Sequence, residues 1–474
     1  MLRSLLIFLP ILTILSGCIT TPEKASPLFK GEHSQCFQLL SDFYTSIETH
    51  RTYLLPYAQD QRFPYLAFDR FSTSFSQELN DSQSSQQWLS YVGKMGRLQL
   101  ETALKLAPRE EQNVDTYLKC QADLTAKSAS LPAFWLSISQ QPPEIETAYQ
   151  HWKRVVGIYP IGSLIAEGRI EEEQAHIQSA FHRPLAHPFQ YGDKREPISD
   201  VKAILEQARR GSLLRWPQLN EDQEAVLLGH FSPVISVETL SKDDLPGALL
   251  FDERDQNLTI ETKQPTLYQG ITYTRFQGDV LVQLNYIVWF PARTAKSTFD
   301  PYAGEFDAIN IRLTLDNNGH PLILDSIHQC GCFHMVYSLN PTLTFLPSDG
   351  ERPIEMSLPT PSNHSRLHVS LSAGEHMITQ VSFTDNIQPD IPLSPAPLLS
   401  LAALPSGDGQ HKSPFDRDGI LSESARGERW FLWPFGVRSP GAMRQQGQHA
   451  IAFIGERHFD DAFLFENVLQ REDK

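Results

Sequence analysis

The chain has 474 residues, 41% of them hydrophobic and 20% charged, which is the composition of a folded protein of two or three domains. Its 56 acidic residues outnumber its 40 basic ones, for a net charge of −16. That balance argues against nucleic acid as a partner, because phosphates would be repelled, and against a broad basic surface on anionic lipid.

The first informative segment is at the start. Arg3 is followed by an apolar run from Leu5 to Leu15, broken only by Pro10 and Thr13, and then by Leu15-Ser16-Gly17-Cys18. The run is shorter than the about 20 residues a membrane span needs and suits the core of a signal peptide. The tetrad resembles a bacterial lipobox. That resemblance implies removal of residues 1–17 and diacylation of Cys18, anchoring the chain to a lipid bilayer. Ile19, rather than Asp, follows Cys18, as in outer-membrane sorting. The expected location is therefore the cell envelope, with the outer membrane favoured. Residues 18–33, rich in Thr, Pro, Ser and Lys, read as a tether.

Residues 34–215 read as a helical domain. Ser84 to Ala107 is the clearest helix, with Leu89, Val92, Gly96, Leu100, Ala103, Leu104 and Ala107 on one stripe and Pro108 at its end. Gln35–His50, Glu110–Ser128, Ile170–Phe181 and Ser199–Arg210 are further helices, the last capped at Ser199-Asp200. Cys36 and Cys120 fall in two of them. In an oxidising envelope they are expected to form a disulfide.

From about Gln223 the pattern turns to strands, giving a β domain over 223–385. Val280, Val282, Leu284, Tyr286, Val288 and Phe290 alternate with Leu281, Gln283, Asn285, Ile287 and Trp289, so one face is wholly apolar. Gln277-Gly278-Asp279 turns that strand back onto Gly270–Phe276. Asn318-Gly319 marks the next hairpin and predicts Leu315 opposite Leu322, Leu313 opposite Leu324, Ile311 opposite Ser326 and Arg312 opposite Asp325. Residues 386–427, rich in Pro, Ser, Gly and Asp, read as a long loop or linker. Residues 428–474 read as a segment packing on the β domain, with a short helix within Asp460–Gln470. The fold class is α+β: a helical N-terminal region, then a mostly antiparallel β region.

One constellation could carry chemistry. In Ile327-His328-Gln329-Cys330-Gly331-Cys332-Phe333-His334, imidazoles and thiols recur at every second position. If the strand continued, His328, Cys330, Cys332 and His334 would share a face with Leu322 and Leu324, with Asp307 opposite Cys330 and Glu305 opposite Cys332. These are ligand types for Zn or Cu. The outer two would lie about 20 Å apart on an ideal strand, so all four cannot hold one ion unless Gly331 bends the chain. Three other readings stand beside the metal: buried core cysteines, a Cys330–Cys332 disulfide with a thiol–disulfide role, and histidines in ordinary hydrogen bonds.

Gln329-Cys330-Gly331-Cys332-Phe333 also resembles the sequence around the nucleophile of papain-like cysteine peptidases, and His449 to Gly455 resembles the segment around their catalytic histidine. The resemblance implies a hydrolase with Cys332 as nucleophile and His449, or alternatively His458, as its base. The serine expected before the nucleophile is missing, and no Asn-Ser-Trp follows His449. Arg426 to Trp430, Arg444-Gln445 and Arg457 to Asp461 are dense in charge. They read as ion pairs on a solvated edge, or as an anion-binding cleft.

Leu284-Asn285-Tyr286 through Arg293, Asp325 through His334, and Arg438 through Asp461 resemble an uncharacterised group of proteobacterial lipoproteins. That group implies a location and no activity. The function expected from the sequence is a membrane-anchored binding or scaffolding protein of the envelope whose Cys/His face takes a metal. The alternatives are a metal-dependent or thiol hydrolase and a thiol–disulfide protein.

Overall fold

The computed structural model describes residues 28–472, except 50–55, 80, 108–112, 194–199, 253, 255, 348–349, 363–364, 386 and 408. The signal-like segment, Cys18 and residues 19–27 of the tether lie outside the described residues. The tether is shorter than expected at its other end. Phe29 is already buried against Tyr65, and the first helix opens at Glu32.

Five helices build the N-terminal layer: α1 (Glu32–Thr49), α2 (Arg70–Thr73), α3 (Ser82–Leu106), α4 (Val114–Ser128) and α5 (Pro132–Gln140). α3 starts where Asp81 Oδ1 accepts the main-chain N–H groups of Gln83 and Ser84, both at 2.8 Å. Its predicted stripe is buried, joined by Trp88 and Met95. α4 packs against both α1 and α3, and Cys36 of α1 is bonded to Cys120 of α4, as expected for an oxidised pair. This layer has its own core, rich in aromatic rings, which reaches the β region through Trp216 and Val280.

Four helices and a strand follow: α6 (His151–Val156), α7 (Tyr159–Ala180), β1 (Pro188–Gly192), α8 (Val201–Arg209) and α9 (Glu221–His230). Here the helix–strand boundary departs from expectation. β1 is a strand inside the predicted helical domain. Residues 223–230, expected to begin the strands, are helical because Asn220 and Gln223 form a capping box. Asp200 caps α8 by accepting from the Ala203 N–H at 2.9 Å.

The remaining strands are β2 (Val234–Glu238), β3 (Ala248–Phe251), β4 (Leu258–Glu261), β5 (Thr266–Phe276), β6 (Asp279–Arg293), β7 (Gly304–Leu315), β8 (Pro321–His328), β9 (Met335–Ser338), β10 (Leu343–Phe345), β11 (Ile354–Ser357), β12 (Arg366–Leu371), β13 (Ile378–Thr384), β14 (Ile391–Pro392) and β15 (Ser394–Pro397). The larger sheet runs β11-β9-β8-β7-β6-β5-β15, antiparallel from β9 to β5 with a parallel strand at each edge. The smaller runs β13-β12-β2-β1-β14. Tyr286, Val288, Ile309, Ile311 and Leu324 of the first share a core with Ile235, Val237, Val369 and Leu371 of the second. The architecture is α+β, with a β-sandwich at its centre.

The Asn318-Gly319 hairpin keeps most of its predicted register: Leu313 pairs with Leu324, Arg312 with Asp325 and Ile311 with Ser326. The turn itself is longer than the two residues expected. Asp316 N–H donates to the His320 carbonyl at 2.8 Å, Gly319 sits at φ +84°, and a bulge pairs Leu315 with Pro321 instead of Leu322. A three-residue turn with a left-handed glycine supplies the extra residue, and the bulge absorbs it.

The outer face of the large sheet carries Ile287, Trp289, Phe306, Ile323 and Ile327, and residues 398–469 cover it. Residues 386–427 are therefore no linker. Leu393, Leu401, Leu404, Phe415, Ile420 and Leu421 are buried, and β14 and β15 extend the two sheets. Pro and Ser prevent long strands there without preventing burial. The segment after 428 packs on the β region, and its expected helix is a single 3-10 turn, Leu464–Asn467, followed by Leu469–Arg471 paired with β10.

Candidate functional site

The strand carrying the Cys/His motif stops at His328. Beyond it the Gly331 N–H donates to the His328 carbonyl at 2.7 Å, and the His328 N–H donates to the Cys332 carbonyl at 3.0 Å. Gly331 adopts φ +89°, and a Cβ on it would collide with the Ala450 carbonyl oxygen. Glycine is required twice over, for its conformation and for the approach of the 449–450 segment. Phe333 is also left-handed, at φ +56°.

This turn breaks the expected common face. His328 remains on the inner face of the sheet, its Nδ1 3.5 Å from Asp307 Oδ1 and its ring edge-on to Phe333. His334 belongs to a different cluster, with its Nε2 3.2 Å from Asp325 Oδ2. Arg312 holds the same Asp325 through two hydrogen bonds of 2.9 and 2.6 Å, donates to the Phe459 carbonyl and covers the Phe459 ring. The β7–β8 pairing ends with Ile309 opposite His328, so neither Asp307 with Cys330 nor Glu305 with Cys332 forms the expected ladder pair. Among the described residues, no three His, Cys, Asp or Glu side chains converge as ligands of one ion. His328, Cys330, Cys332 and His334 do not form a joint site.

The two cysteines do meet. They are free thiols, Cys330 buried and Cys332 partly exposed, and the Cys332 N–H lies 3.3 Å from Cys330 Sγ. Burial opposes ionisation of Cys330. The hydrogen bond from the Cys332 thiol and the nearby Arg426 guanidinium outweigh it and hold Cys330 below the ordinary thiol value. The same hydrogen bond, with burial, pushes Cys332 well above it. The inner thiol is thus the more acidic of the two.

Buried arginines frame the pair. Arg444 Nε donates to the Cys330 carbonyl at 3.0 Å, and Gln329 Nε2 donates to the Arg444 carbonyl at 3.1 Å. Arg426 donates to Asp307 Oδ1 at 3.1 Å and to the Phe306 carbonyl at 3.0 Å. Asp307 also hydrogen-bonds to His376 Nδ1 at 2.8 Å, while His376 Nε2 lies 3.5 Å from Asp244 and its ring stacks on Phe290. Burial would deprotonate His376, but its two carboxylates raise its pKa instead. Glu428, beside Arg426, is pushed up by burial. Arg426, Glu428 and Arg444 are therefore interior groups, not the solvated edge their charge suggested. Asp244, His376 and the arginines carried no recognisable spacing; they are brought together only by the fold.

His449 and His458 do not serve the thiols. His449 hydrogen-bonds to the main chain of Gln329, one residue from Cys330, and burial with Arg444 and Arg312 lowers its pKa to about 3. His458 Nε2 accepts the Ala148 N–H at 3.1 Å, and burial with Arg70 and Arg444 lowers it to about 3. Among the described residues neither imidazole hydrogen-bonds to Cys330 or Cys332, and bases so weak cannot take a thiol proton near neutrality. The chain matches no protein-family model, no curated protein and no solved structure.

Proposed function

We propose that this is a lipid-anchored envelope protein, held through Cys18, whose Cys330-Gly331-Cys332 turn is a thiol–disulfide site on an otherwise binding or scaffolding body. The observation that carries the reading is the hydrogen-bonded thiol pair, with the acidic member inside and the accessible member outside. In the oxidised form, an incoming protein thiolate attacks Cys332 Sγ. The S–S bond breaks, and Cys330 leaves as a thiolate beside Arg426. The partner's second thiolate then attacks the partner sulfur of the mixed disulfide and expels Cys332, which takes up a proton. The partner dithiol becomes a disulfide and the turn becomes a dithiol. A low-pKa leaving group favours this direction.

The test is the reduction potential of the pair in the full chain, equilibrated in thiol buffers and read by mass after alkylation. A value above about −300 mV is expected for an exchangeable disulfide; a lower one, typical of structural bonds, overturns the proposal. With the remaining thiol first converted to a mixed disulfide by oxidised glutathione, Cys330→Ser should trap a partner thiol on Cys332 as glutathione leaves, and Cys332→Ser should trap little on the buried Cys330. Mass analysis of the N-terminus tests the anchor separately.

A further inference from the structure

The corner between α6 and α7 exposes an apolar surface that no part of the chain covers among the described residues. Trp152, Val155, Val156, Ile158, Ile161 and Leu164 are each between 59% and 80% exposed. From Val155 to Ala166 the sequence has no charged residue. Both helices rest on the Trp433–Phe435 turn, and the short helix leading into that turn, Arg429–Leu432, adds exposed Trp430 and Phe431. Scattered apolar residues on a surface need no explanation, whereas a contiguous patch does.

The patch stands on a rigid base. Arg154 lies between the rings of Tyr149 and Tyr159, donates to the Phe435 and Gly455 carbonyls at 2.7 Å each, and pairs with Glu456. Ile158, at the apex, has φ +52°, a region β-branched residues avoid. Strain kept at an exposed corner points to a constraint other than folding. Each exposed indole has a cation over it: Lys153 over Trp152 at 5.8 Å and Arg429 over Trp430 at 4.9 Å. Indoles with adjacent cations suit the boundary between acyl chains and phosphates.

The length of chain outside the described residues selects the occupant. Leu28 is the first described residue, and the roughly ten residues from Cys18 to it reach at most about 35 Å. If Cys18 is acylated, Leu28 stays within that distance of a bilayer, and the body is held at an effective concentration where even a shallow contact is populated. We infer that the α6–α7 corner, with Trp430 and Phe431, docks on the phospholipid surface to which the chain is tethered. The tether part rests on the anchor proposed above; the contact itself does not. With a net charge of −16, the body is not drawn by bulk electrostatics, so the contact is apolar and weakly sensitive to salt.

The test uses the mature full chain in vesicles of phosphatidylethanolamine and phosphatidylglycerol whose acyl chains carry bromine, a short-range quencher of tryptophan. Quenching of Trp152 and Trp430 emission is expected, assigned by Trp152→Phe and Trp430→Phe, and retained in 0.5 M salt at about the same level. The exposed triple variant Val155→Asp, Ile161→Asp, Leu164→Asp should lower the docked-to-undocked ratio by at least about a hundredfold with unchanged circular dichroism. Equal emission with and without bromine overturns the inference. So does a dimer in sedimentation that buries the patch and is dissolved by the triple variant. Quenching without an acylated N-terminus keeps the contact and removes the anchor; an acylated chain without quenching does the reverse.

Discussion

Arg426→Gln strikes both the stability of the sandwich and the acidity of Cys330. Asp307 and Asp244 are buried carboxylates; Arg426 pairs with Asp307, and His376, whose pKa both carboxylates raise, lies between them. Removing the guanidinium leaves Asp307, which has no exposed surface, with one cation fewer and the cluster with an uncompensated charge. Breaking a buried pair in this way costs about 3–5 kcal/mol, a large share of the roughly 5–15 kcal/mol that holds a typical protein folded. The same substitution removes the cation that lowers Cys330, so its thiol pKa should rise. Urea unfolding of the full chain at pH 7 measures the first effect, and thiolate absorbance against pH measures the second. Arg429→Gln, on the partly exposed neighbour, should change stability by no more than about 0.5 kcal/mol. A loss below about 1 kcal/mol for Arg426→Gln, or an unmoved thiol titration, would refute the assignment of Arg426 as the shared cation.

Gly331→Ala places a Cβ against the Ala450 carbonyl in a left-handed conformation, and should destabilise by about 2–5 kcal/mol in chemical denaturation; a neutral effect would mean the turn is not closed by the 449–450 segment. His458 has a folded pKa of about 3, below its unfolded value of 6.5, so it stays neutral while the unfolded chain takes up a proton. Its stabilisation is complete above pH 6.5 and is lost as pH falls toward 3. Wild type should therefore lose up to about 2 kcal/mol relative to His458→Gln between pH 6.5 and 5, and parallel pH profiles would contradict this. The Cys36–Cys120 bond spans 84 residues, so replacing both cysteines by Ser should lower stability by about 4–5 kcal/mol on the chain-entropy account, read by the denaturation midpoint.

Local signals were legible where the chain itself sets the geometry. The α3 stripe, the Asp200 cap, the alternation of β6 and the Leu313–Leu324 register all follow from the helical or strand period and from turn chemistry. Signals failed where neighbours decide. The extra residue in the Asn318-Gly319 turn is absorbed by a bulge that depends on the facing strand. Residues 386–427 have a loop composition, yet Leu401, Leu404, Phe415 and Leu421 within them are buried where they cover the outer face of the large sheet. Charge in the 426–444 region reads as surface unless the partners of Arg426 and Arg444 are known, and those partners lie more than a hundred positions away.

The sequence by itself determined the α+β class, the pairing of Cys36 with Cys120 and the singling out of His328 to His334 as the unusual motif. Each depends on residues close along the chain or, for the disulfide, on there being one cysteine in each of two helices of a chain expected in an oxidising envelope. Only the tertiary structure decided what the motif contains. A strand period would place all four side chains on one face, but Gly331 turns the chain against Ala450 and ends that period. His334 hydrogen-bonds to Asp325 and His328 lies 3.5 Å from Asp307, each imidazole beside a buried carboxylate. The thiols are left to each other, with Arg426 supplied from a distant segment to set their acidity.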